Sequence, residues 1–283
     1  PFRQWVEEEF SKLQGGELTL AEEDIRRWKA FFPRPDYSRG PVGSGESAAP
    51  VPAAFLRNNL HAHKEPGWTS LTVSLKAPGE TPGDASAEQM RLVADLADRY
   101  GFGEIRVSHE QNLILPDIHK QDLPSVHAEL AAAGLATPNA GLLTDMICCP
   151  GLDFCSLANA GSIGVAHDIR TLLDDADEVE DLGELRLNMS GCMNGCGHHS
   201  VGHIGILGVD KKGEEWYQLS LGGSSRNNAS LGDRLGAALS RDEIAPAVRK
   251  LLRAYHAERQ KGERFLDTYR RVGLQPFKEA VYG

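Results

Sequence analysis

All five cysteines of this 283-residue chain lie between Cys148 and Cys196, and this clustering constrains the fold and the chemistry more than any other feature. Three of them belong to the stretch CCPGLDFC and two to the stretch SGCMNGC. In a reducing compartment, thiols packed this densely bind a metal or act in catalysis more often than they form disulfides. The pattern therefore predicts that two short loops hold one inorganic centre.

Zinc and an iron-sulfur cluster are the two candidates for that centre. Structural zinc sites usually have about two to four residues between paired cysteines, which fits Cys192 and Cys196. Cys149 and Cys155 are further apart, and such unequal spacing suits the wider body of a cubane cluster. Glycines beside the second pair leave room for the backbone next to a bulky centre, and these are Gly191, Gly195 and Gly197. The spacing favours the cluster over five inert core cysteines.

The composition is that of a globular protein and narrows the range of partners. The chain is 41% hydrophobic and 25% charged, with a formal net charge of -10. That charge disfavours a general nucleic-acid binder, because affinity for a phosphate backbone depends on clustered Lys and Arg. The sequence shows neither an apolar run long enough for a bilayer nor a secretory leader. We expect a cytoplasmic protein with no nucleic-acid or membrane partner.

The chain divides into three predicted parts. Residues 1–52 are predicted to be a helical segment and a linker, the latter rich in Pro, Gly and Ser. Residues 53–137 follow the order strand, helix, strand, strand, helix, which predicts most of a ferredoxin-like split unit. Residues 138–283 carry the thiols and alternate strands with helices, which predicts an α/β domain. The overall class is therefore α+β, and the opening PFRQWVEEEF suggests a piece of a longer polypeptide.

Local signals support these assignments. Ser86 and Gln89 have the spacing of a capping box, and Gly101 follows the helix that they begin. A strand is predicted at EIRVS, residues 104–108, and another at EWYQLSL. C-terminal helices are predicted to start near Arg241.

The cysteine motifs resemble those of the sulfite and nitrite reductase haemoprotein family. SGCMNGCG resembles its cluster signature, with Met193 where the family usually has Pro. FLRNNLHAHKEPGWTSLTV and EIRVSHEQNLIL resemble the second of its two repeats, and YQLSLGG resembles its glycine turn. The resemblance implies a 4Fe-4S cluster held by four cysteines, which are Cys149, Cys155, Cys192 and Cys196. It also implies that Cys196 is shared with the iron of sirohaem.

Sirohaem carries eight carboxylates, so cationic and amide side chains are expected around it. By the resemblance, Gln111 and Asn112 match a haem-contacting QN dipeptide and rank first. Asn194 is a further amide candidate, and Arg57 and Arg226 are cationic candidates for which a plain surface role is equally expected. Weaker candidates are Lys64, Arg106 and the backbone of Gly222 and Gly223. For His198, His199 and His203, packing or hydrogen bonding at the haem edge is expected before metal ligation.

The resemblance implies an assimilatory sulfite reductase that reduces sulfite to sulfide with six electrons. Nitrite reduction to ammonia is the alternative, followed by a relative in cobalamin synthesis, a cluster-only electron carrier and a zinc-stabilised module. The donor is expected to be ferredoxin or a flavoprotein reductase. The groups that bind the substrate anion and donate protons are expected in a missing N-terminal half of the same chain. No catalytic residue is therefore assigned, and the fragment is expected to be inactive without that half.

Overall fold

The computed structural model describes residues 1–15, 19–42, 49–173 and 176–283, with the side chains of residues 176 and 177 left out. The chain divides into two compact units, Pro1–Gly40 and Pro41–Gly283. The first unit contains α1 (Phe2–Ser11) and α2 (Glu22–Phe31), and neither helix has a buried residue. The predicted linker includes residues 43–48, which lie outside the described residues.

The second unit begins with a helix, α3 (Ala53–Asn58), and a four-stranded antiparallel sheet within the described residues. Its elements are β1 (Leu60–Ala62), β2 (Trp68–Val73), α4 (Ala87–Tyr100), β3 (Arg106–Val107), β4 (Leu113–His119) and α5 (Leu123–Ala132). The strand order is β1-β2-β4-β3, and both long helices share one hydrophobic core with the sheet. Helices therefore cover one face of this sheet, as the ferredoxin-like prediction requires.

The start of α4 follows from the sequence alone. The Ser86 hydroxyl accepts from the Gln89 amide at 3.2 Å, and the Gln89 side chain accepts from the Ser86 amide at 2.9 Å. The predicted capping box is confirmed. The strand predicted at residues 104–108 is shorter than expected, because only Arg106 and Val107 pair with β4 at this exposed sheet edge.

The second sheet is six-stranded in the described part of the chain and has the order β10-β8-β7-β6-β5, with β9 paired to β8. Its elements are β5 (Ile147–Cys148), α6 (Ile163–Thr171), α7 (Ala176–Leu182), β6 (Leu187–Ser190), β7 (Ile204–Lys211), β8 (Glu214–Leu221), β9 (Asp233–Arg234), β10 (Leu239–Ser240), α8 (Arg241–Glu258), α9 (Phe265–Val272) and α10 (Gln275–Tyr282). A continuous core joins this sheet to its helices. The predicted start of the C-terminal helices at Arg241 agrees with α8.

Strand direction in the second sheet decides where the thiols lie. β5, β6 and β7 are parallel to one another, whereas β8 returns as an antiparallel hairpin. The carboxyl ends of β5 and β6 therefore meet at one edge of the sheet, and loops at such an edge are a common place for ligands. Across the described ranges, no helix combines the length and the apolar character that crossing a bilayer requires.

Candidate metal centre

Two neighbouring parallel strands bring both cysteine motifs to the same place. Cys148 is paired with Met189 in the β5–β6 register, and the Cys149 amide donates to the Met189 carbonyl at 3.1 Å. The loop of residues 149–162 follows β5, and the loop of residues 191–197 follows β6. These two loops are called the thiol edge below, because all of the cysteines predicted to bind the cluster lie on them.

The first loop closes on itself around Cys155. The Cys155 amide donates to the Gly151 carbonyl at 2.8 Å, and the Leu152 amide donates to the Ala160 carbonyl at 3.1 Å. Gly151 has a φ of 60°, and a Cβ there would lie 2.6 Å from the Ala160 oxygen. Only glycine fits this turn, so the spacing between Cys149 and Cys155 is that of a tight bend rather than of a helix.

The second loop makes two consecutive turns. The Gly195 amide donates to the Cys192 carbonyl at 3.2 Å, and the His198 amide donates to the Gly195 carbonyl at 2.7 Å. The Gly197 amide donates back to the Ser190 hydroxyl at 3.0 Å. These bonds hold both thiols of the loop over the end of β6.

Gly191 joins the two loops. Its amide lies 3.0 Å from the Cys149 sulfur, and its carbonyl accepts from the amides of Asn159 and Ala160 at 2.8 and 3.0 Å. A Cβ on Gly191 would lie 2.7 Å from the Gly151 Cα. The contact between the loops therefore depends on the absence of a side chain at this position.

The thiols are graded from buried to exposed. Cys192 is buried, Cys149 and Cys155 are half-buried, and Cys196 is exposed. Apolar side chains next to them are also open to solvent, with Phe154 82% and Met193 84% exposed. Cys196 is thus the most exposed of the four predicted ligands, and its sharing with sirohaem stays a prediction.

The residues present fit an iron-sulfur cluster. Four thiols lie on two facing loops, and the Gly191 amide donates to one sulfur, a kind of bond that stabilises cluster thiolates. Within residues 1–15, 19–42, 49–173 and 176–283, no three His, Cys, Asp or Glu side chains converge on a single metal ion. The fit rests on the loop geometry and the donor chemistry.

Cys148 is set apart from the other four cysteines. It is 4% exposed within the hydrophobic core, and its thiol donates to the Cys149 carbonyl at 3.3 Å. Burial raises the pKa of this thiol well above its usual range. Its surroundings favour a packed neutral thiol, not a ligand.

Gln111 connects the ferredoxin-like part to β5, the strand directly before the thiol edge. Its side-chain amide donates to the Cys148 carbonyl at 2.8 Å and accepts from the Cys148 amide at 2.9 Å. Its φ is 58°, in the left-handed region that non-glycine residues rarely adopt. The side chain thus bonds both backbone groups of Cys148, as a neighbouring strand would. A direct contact of Gln111 with sirohaem stays a prediction.

Asn112 belongs to a buried polar group that the sequence did not reveal. The Lys76 ammonium is fully buried and lies 2.7 Å from Asp145 Oδ1 and 3.0 Å from Asn112 Oδ1. Asn112 also donates to Asp145 at 2.9 Å. These three residues are called the polar junction below. Burial lowers the pKa of Lys76, while the Asp145 carboxylate opposes that shift.

The two predicted arginine contacts line one cavity of about 1130 Å³. Arg57 forms an ion pair with Glu180, and Arg226 Nη2 lies 3.7 Å from Glu184 Oε1. The described lining includes Arg186, which precedes β6, but none of the five cysteines. The structure therefore places both arginines near the start of β6, whereas the thiols follow its end. Their contact with sirohaem stays a prediction.

The remaining candidates occupy varied settings. Asn194 and Lys64 are exposed, and exposed Arg106 pairs with Glu104 at 2.5 Å. The Gly222 amide donates to the His203 carbonyl at 3.0 Å, which continues the antiparallel pairing of β7 with β8 by one residue pair.

The three candidate histidines differ in their exposure to solvent. His198 is exposed, whereas His199 and His203 are half-buried and buried, respectively. Burial lowers the pKa of His203 to about 4, and its Nδ1 accepts from the Arg186 amide at 3.2 Å. Burial also lowers the pKa of His199. The neutral imidazole of His203 therefore has a hydrogen-bonding role inside the fold.

Comparison with known families gives two matches. A nitrite/sulfite reductase ferredoxin-like half domain matches residues 63–133, and a nitrite and sulphite reductase 4Fe-4S domain matches residues 141–283. The first match includes Lys76 and Asn112 of the polar junction. The second match includes Asp145, the third residue of the polar junction, and the whole thiol edge.

Curated relatives include reductases of two kinds. The assimilatory ferredoxin-dependent nitrite reductase of Haloferax mediterranei is 31% identical over 65% of this chain and 32% of its own length. Sulfite reductase (ferredoxin) 2 of Mycolicibacterium paratuberculosis is 30% identical over 81% of this chain and 42% of its own. The chain spans less than half the length of these relatives.

Two solved structures share the fold. The Mycobacterium tuberculosis NirA protein aligns with a TM-score of 0.64 and 25% identity, over 84% of this chain and 42% of that one. Dissimilatory sulfite reductase I aligns with a TM-score of 0.62 and 14% identity, over 76% of this chain and 69% of that one. The second likeness concerns the fold alone.

Proposed function

Because this chain belongs to the nitrite and sulfite reductase family, we propose that it serves the six-electron reduction of sulfite to sulfide. The family matches confirm the α+β fold class and the cofactor pair of a 4Fe-4S cluster and sirohaem, and relatives that are reductases support an oxidoreductase. The substrate, the donor and the ligand residues are the proposed parts.

The cluster ligands in this proposal are Cys149, Cys155, Cys192 and Cys196. The observation that carries it is the meeting of the two loops at Gly191, whose amide bonds the Cys149 sulfur while Cys192 is its next residue. Cys196 is the proposed shared ligand of sirohaem, since it is the most exposed of the four.

The bound cofactors supply the transfer of electrons to the substrate. The chain would hold them in place, because Gly191 lets the two loops meet and Gln111 fixes the strand that precedes Cys149. Cys192 is buried, so this proposed ligand is itself shielded from water. Haem contacts by Gln111, Asn112, Asn194, Arg57 and Arg226 remain proposed.

Partners and location complete the proposal. Relatives are named for ferredoxin and for NADPH, which supports ferredoxin or a flavoprotein reductase as the donor. An N-terminal half of the same protein is proposed to supply the groups that bind the anion and donate protons. We place the protein in the cytoplasm, where thiols stay reduced.

Nitrite reduction to ammonia is the second candidate. Nitrite reductases and sulfite reductases are similar to this chain at nearly equal identity, 31% and 30% for the first two relatives. The same cofactor pair serves both substrates, so turnover is the property that separates them.

The test is a comparison of cysteine variants in the full-length protein, which includes the proposed N-terminal half and is called the full chain below, purified without oxygen. Cys149→Ala and Cys196→Ala should lose most of the bound iron and sulfide, whereas the matched control Cys148→Ala should keep them. Sulfite and nitrite turnover with a chemical electron donor then identifies the substrate. Full iron content in Cys149→Ala would refute the ligand set, and faster turnover of nitrite would favour the second candidate.

A further inference from the structure

Ser162 has an unusual arrangement at the start of α6. It is the N-cap residue of this nine-residue helix, yet its side chain makes no capping hydrogen bond. Serine at an N-cap normally accepts from a backbone amide two or three residues on, and this bond stabilises the helix. The hydroxyl of Ser162 therefore faces something other than its own helix.

Asp153 takes over the capping role. Its Oδ2 accepts from the amides of Ser162 and Ile163 at 3.4 and 3.3 Å. A carboxylate also interacts favourably with the partial positive charge of a helix N-terminus. With the first amides bonded to Asp153, the Ser162 hydroxyl is free to turn away.

The released hydroxyl lies beside a predicted cluster ligand. Ser162 Oγ is 3.9 Å from the Cys149 sulfur, within the range of a hydrogen bond to sulfur. Ser162 is 0% exposed, so its hydroxyl needs a partner inside the protein. A thiolate only accepts hydrogen bonds, so when Cys149 is ionised the hydroxyl is the donor.

The same sulfur has a second donor. The Gly191 amide approaches it at 3.0 Å, which is possible because Gly191 has no side chain. Ser162 comes from the end of the first loop and Gly191 from the start of the second. One sulfur thus receives a donor from each loop of the thiol edge.

We propose that Ser162 and Gly191 form a two-donor cradle for the Cys149 thiolate and that this cradle raises the reduction potential of the cluster. The inference rests on the proposed function, because it takes Cys149 as a ligand. When the cluster gains one electron, the negative charge on its sulfurs increases. Hydrogen bonds to sulfur stabilise the more negative state more strongly, and they are one of the factors that set cluster potentials. Ser162 is a positioning residue in this account.

The experiment is a potentiometric titration of the cluster-loaded full chain, followed by electron paramagnetic resonance. Ser162→Ala removes the hydroxyl donor and leaves the Gly191 amide. At a fixed potential, we expect the ratio of reduced to oxidised cluster to fall about threefold, which is about 28 mV at 59 mV per tenfold for one electron. Ser224→Ala is the matched control, since Ser224 is also buried but its hydroxyl contacts Asn228.

A second measurement needs no variant. In resonance Raman spectra of the unaltered protein, transfer to D₂O should shift the iron-thiolate stretching bands, because exchangeable donors contact a ligand sulfur. This keeps the inference testable where Ser162→Ala does not fold.

The outcomes separate the inference from the proposed function. A potential unchanged in Ser162→Ala, or shifted equally in Ser224→Ala, overturns the cradle while leaving the cluster assignment intact. Bands unaffected by D₂O overturn it as well. An unaltered protein that binds zinc, or no cluster at all, overturns the proposed function together with the cradle.

Discussion

The thiol edge and the polar junction both lie near β5, but they differ in what they leave open. At the thiol edge, the two loops meet at glycines, and exposure of the cysteines ranges from buried Cys192 to exposed Cys196. At the polar junction, Lys76 and Asp145 are closed off from water and bonded to each other. The first region presents the thiols that we propose as cofactor ligands, whereas the second joins two parts of the chain.

Gly191→Ala is the change that breaks the thiol edge most severely. A Cβ would meet backbone atoms of Gly151 and Ala160 at 2.7 Å, so the two loops must separate. We expect nearly all bound iron to be lost, as measured by iron and sulfide analysis.

Gly213→Ala, in the β7–β8 turn and outside the thiol edge, is the control for that variant. A Cβ there would have no atom within 4 Å, so its cost is limited to the positive φ of 84°, about 1 kcal/mol. Equal iron loss in both variants would contradict the role given to Gly191.

Lys76→Met tests the polar junction. It leaves the Asp145 carboxylate buried without its cation, a change that typically costs about 3 to 5 kcal/mol. Denaturant unfolding should show this loss, while the folded fraction keeps its iron. Arg91→Met removes an exposed ion pair with Glu88 and should change stability by less than about 0.5 kcal/mol. A small effect of Lys76→Met would show that the junction does not join the two parts.

The lowered pKa of His203 leads us to expect that the free energy of unfolding depends on pH. Burial lowers its pKa from 6.5 to about 4, so the folded state binds fewer protons than the unfolded state between those values. Its contribution is present above about pH 6.5 and is lost as pH falls toward 4, by about 3 kcal/mol in total.

His203→Gln keeps an acceptor for the Arg186 amide and should reduce the pH dependence of the free energy of unfolding between about pH 4 and 6.5. His109→Gln, at an exposed position, should retain the slope. An unchanged slope in His203→Gln would contradict the assignment. The measurement is the free energy of unfolding at intervals between pH 4 and 7.

Gln111→Ala sharpens the comparison, because Gln111 links the ferredoxin-like part to β5, the strand that leads directly into the thiol edge. It removes two bonds to the Cys148 backbone, and we expect a loss of about 1 to 3 kcal/mol. We also expect faster release of iron to a chelator, because the strand before Cys149 is less fixed. Gln89→Ala also removes two side-chain hydrogen bonds, to the Ser86 amide and to the Ala133 carbonyl, but none to β5, so it should leave iron release unchanged.

Interactions between residues close in the sequence could be predicted, whereas contacts between residues far apart in the sequence could not. The capping box of Ser86 and Gln89 involves neighbouring residues, and the structure confirms it. Lys76 and Asp145 are 69 residues apart, so no periodicity or spacing could have paired them. β3 is shorter than predicted because a sheet edge, not local alternation, decides how far it pairs.

The thiol edge was only partly predictable. The cysteine and glycine spacing indicated two loops around one centre, but the parallel register that joins the loops is a property of the whole sheet. Gln111 was singled out for its amide, yet its bonds to Cys148 depend on a left-handed backbone that the sequence does not signal. The sequence pattern likewise did not indicate that Asp153, and not the N-cap residue Ser162, accepts from the first amide of α6.

Mössbauer spectroscopy of the iron-57-enriched full chain tests the central claim most directly. If Cys196 is shared between the cluster and sirohaem, the haem iron and the cluster irons are predicted to be magnetically coupled, and Cys196→Ala should abolish the coupling. Uncoupled haem and cluster signals in the unaltered protein would contradict the account.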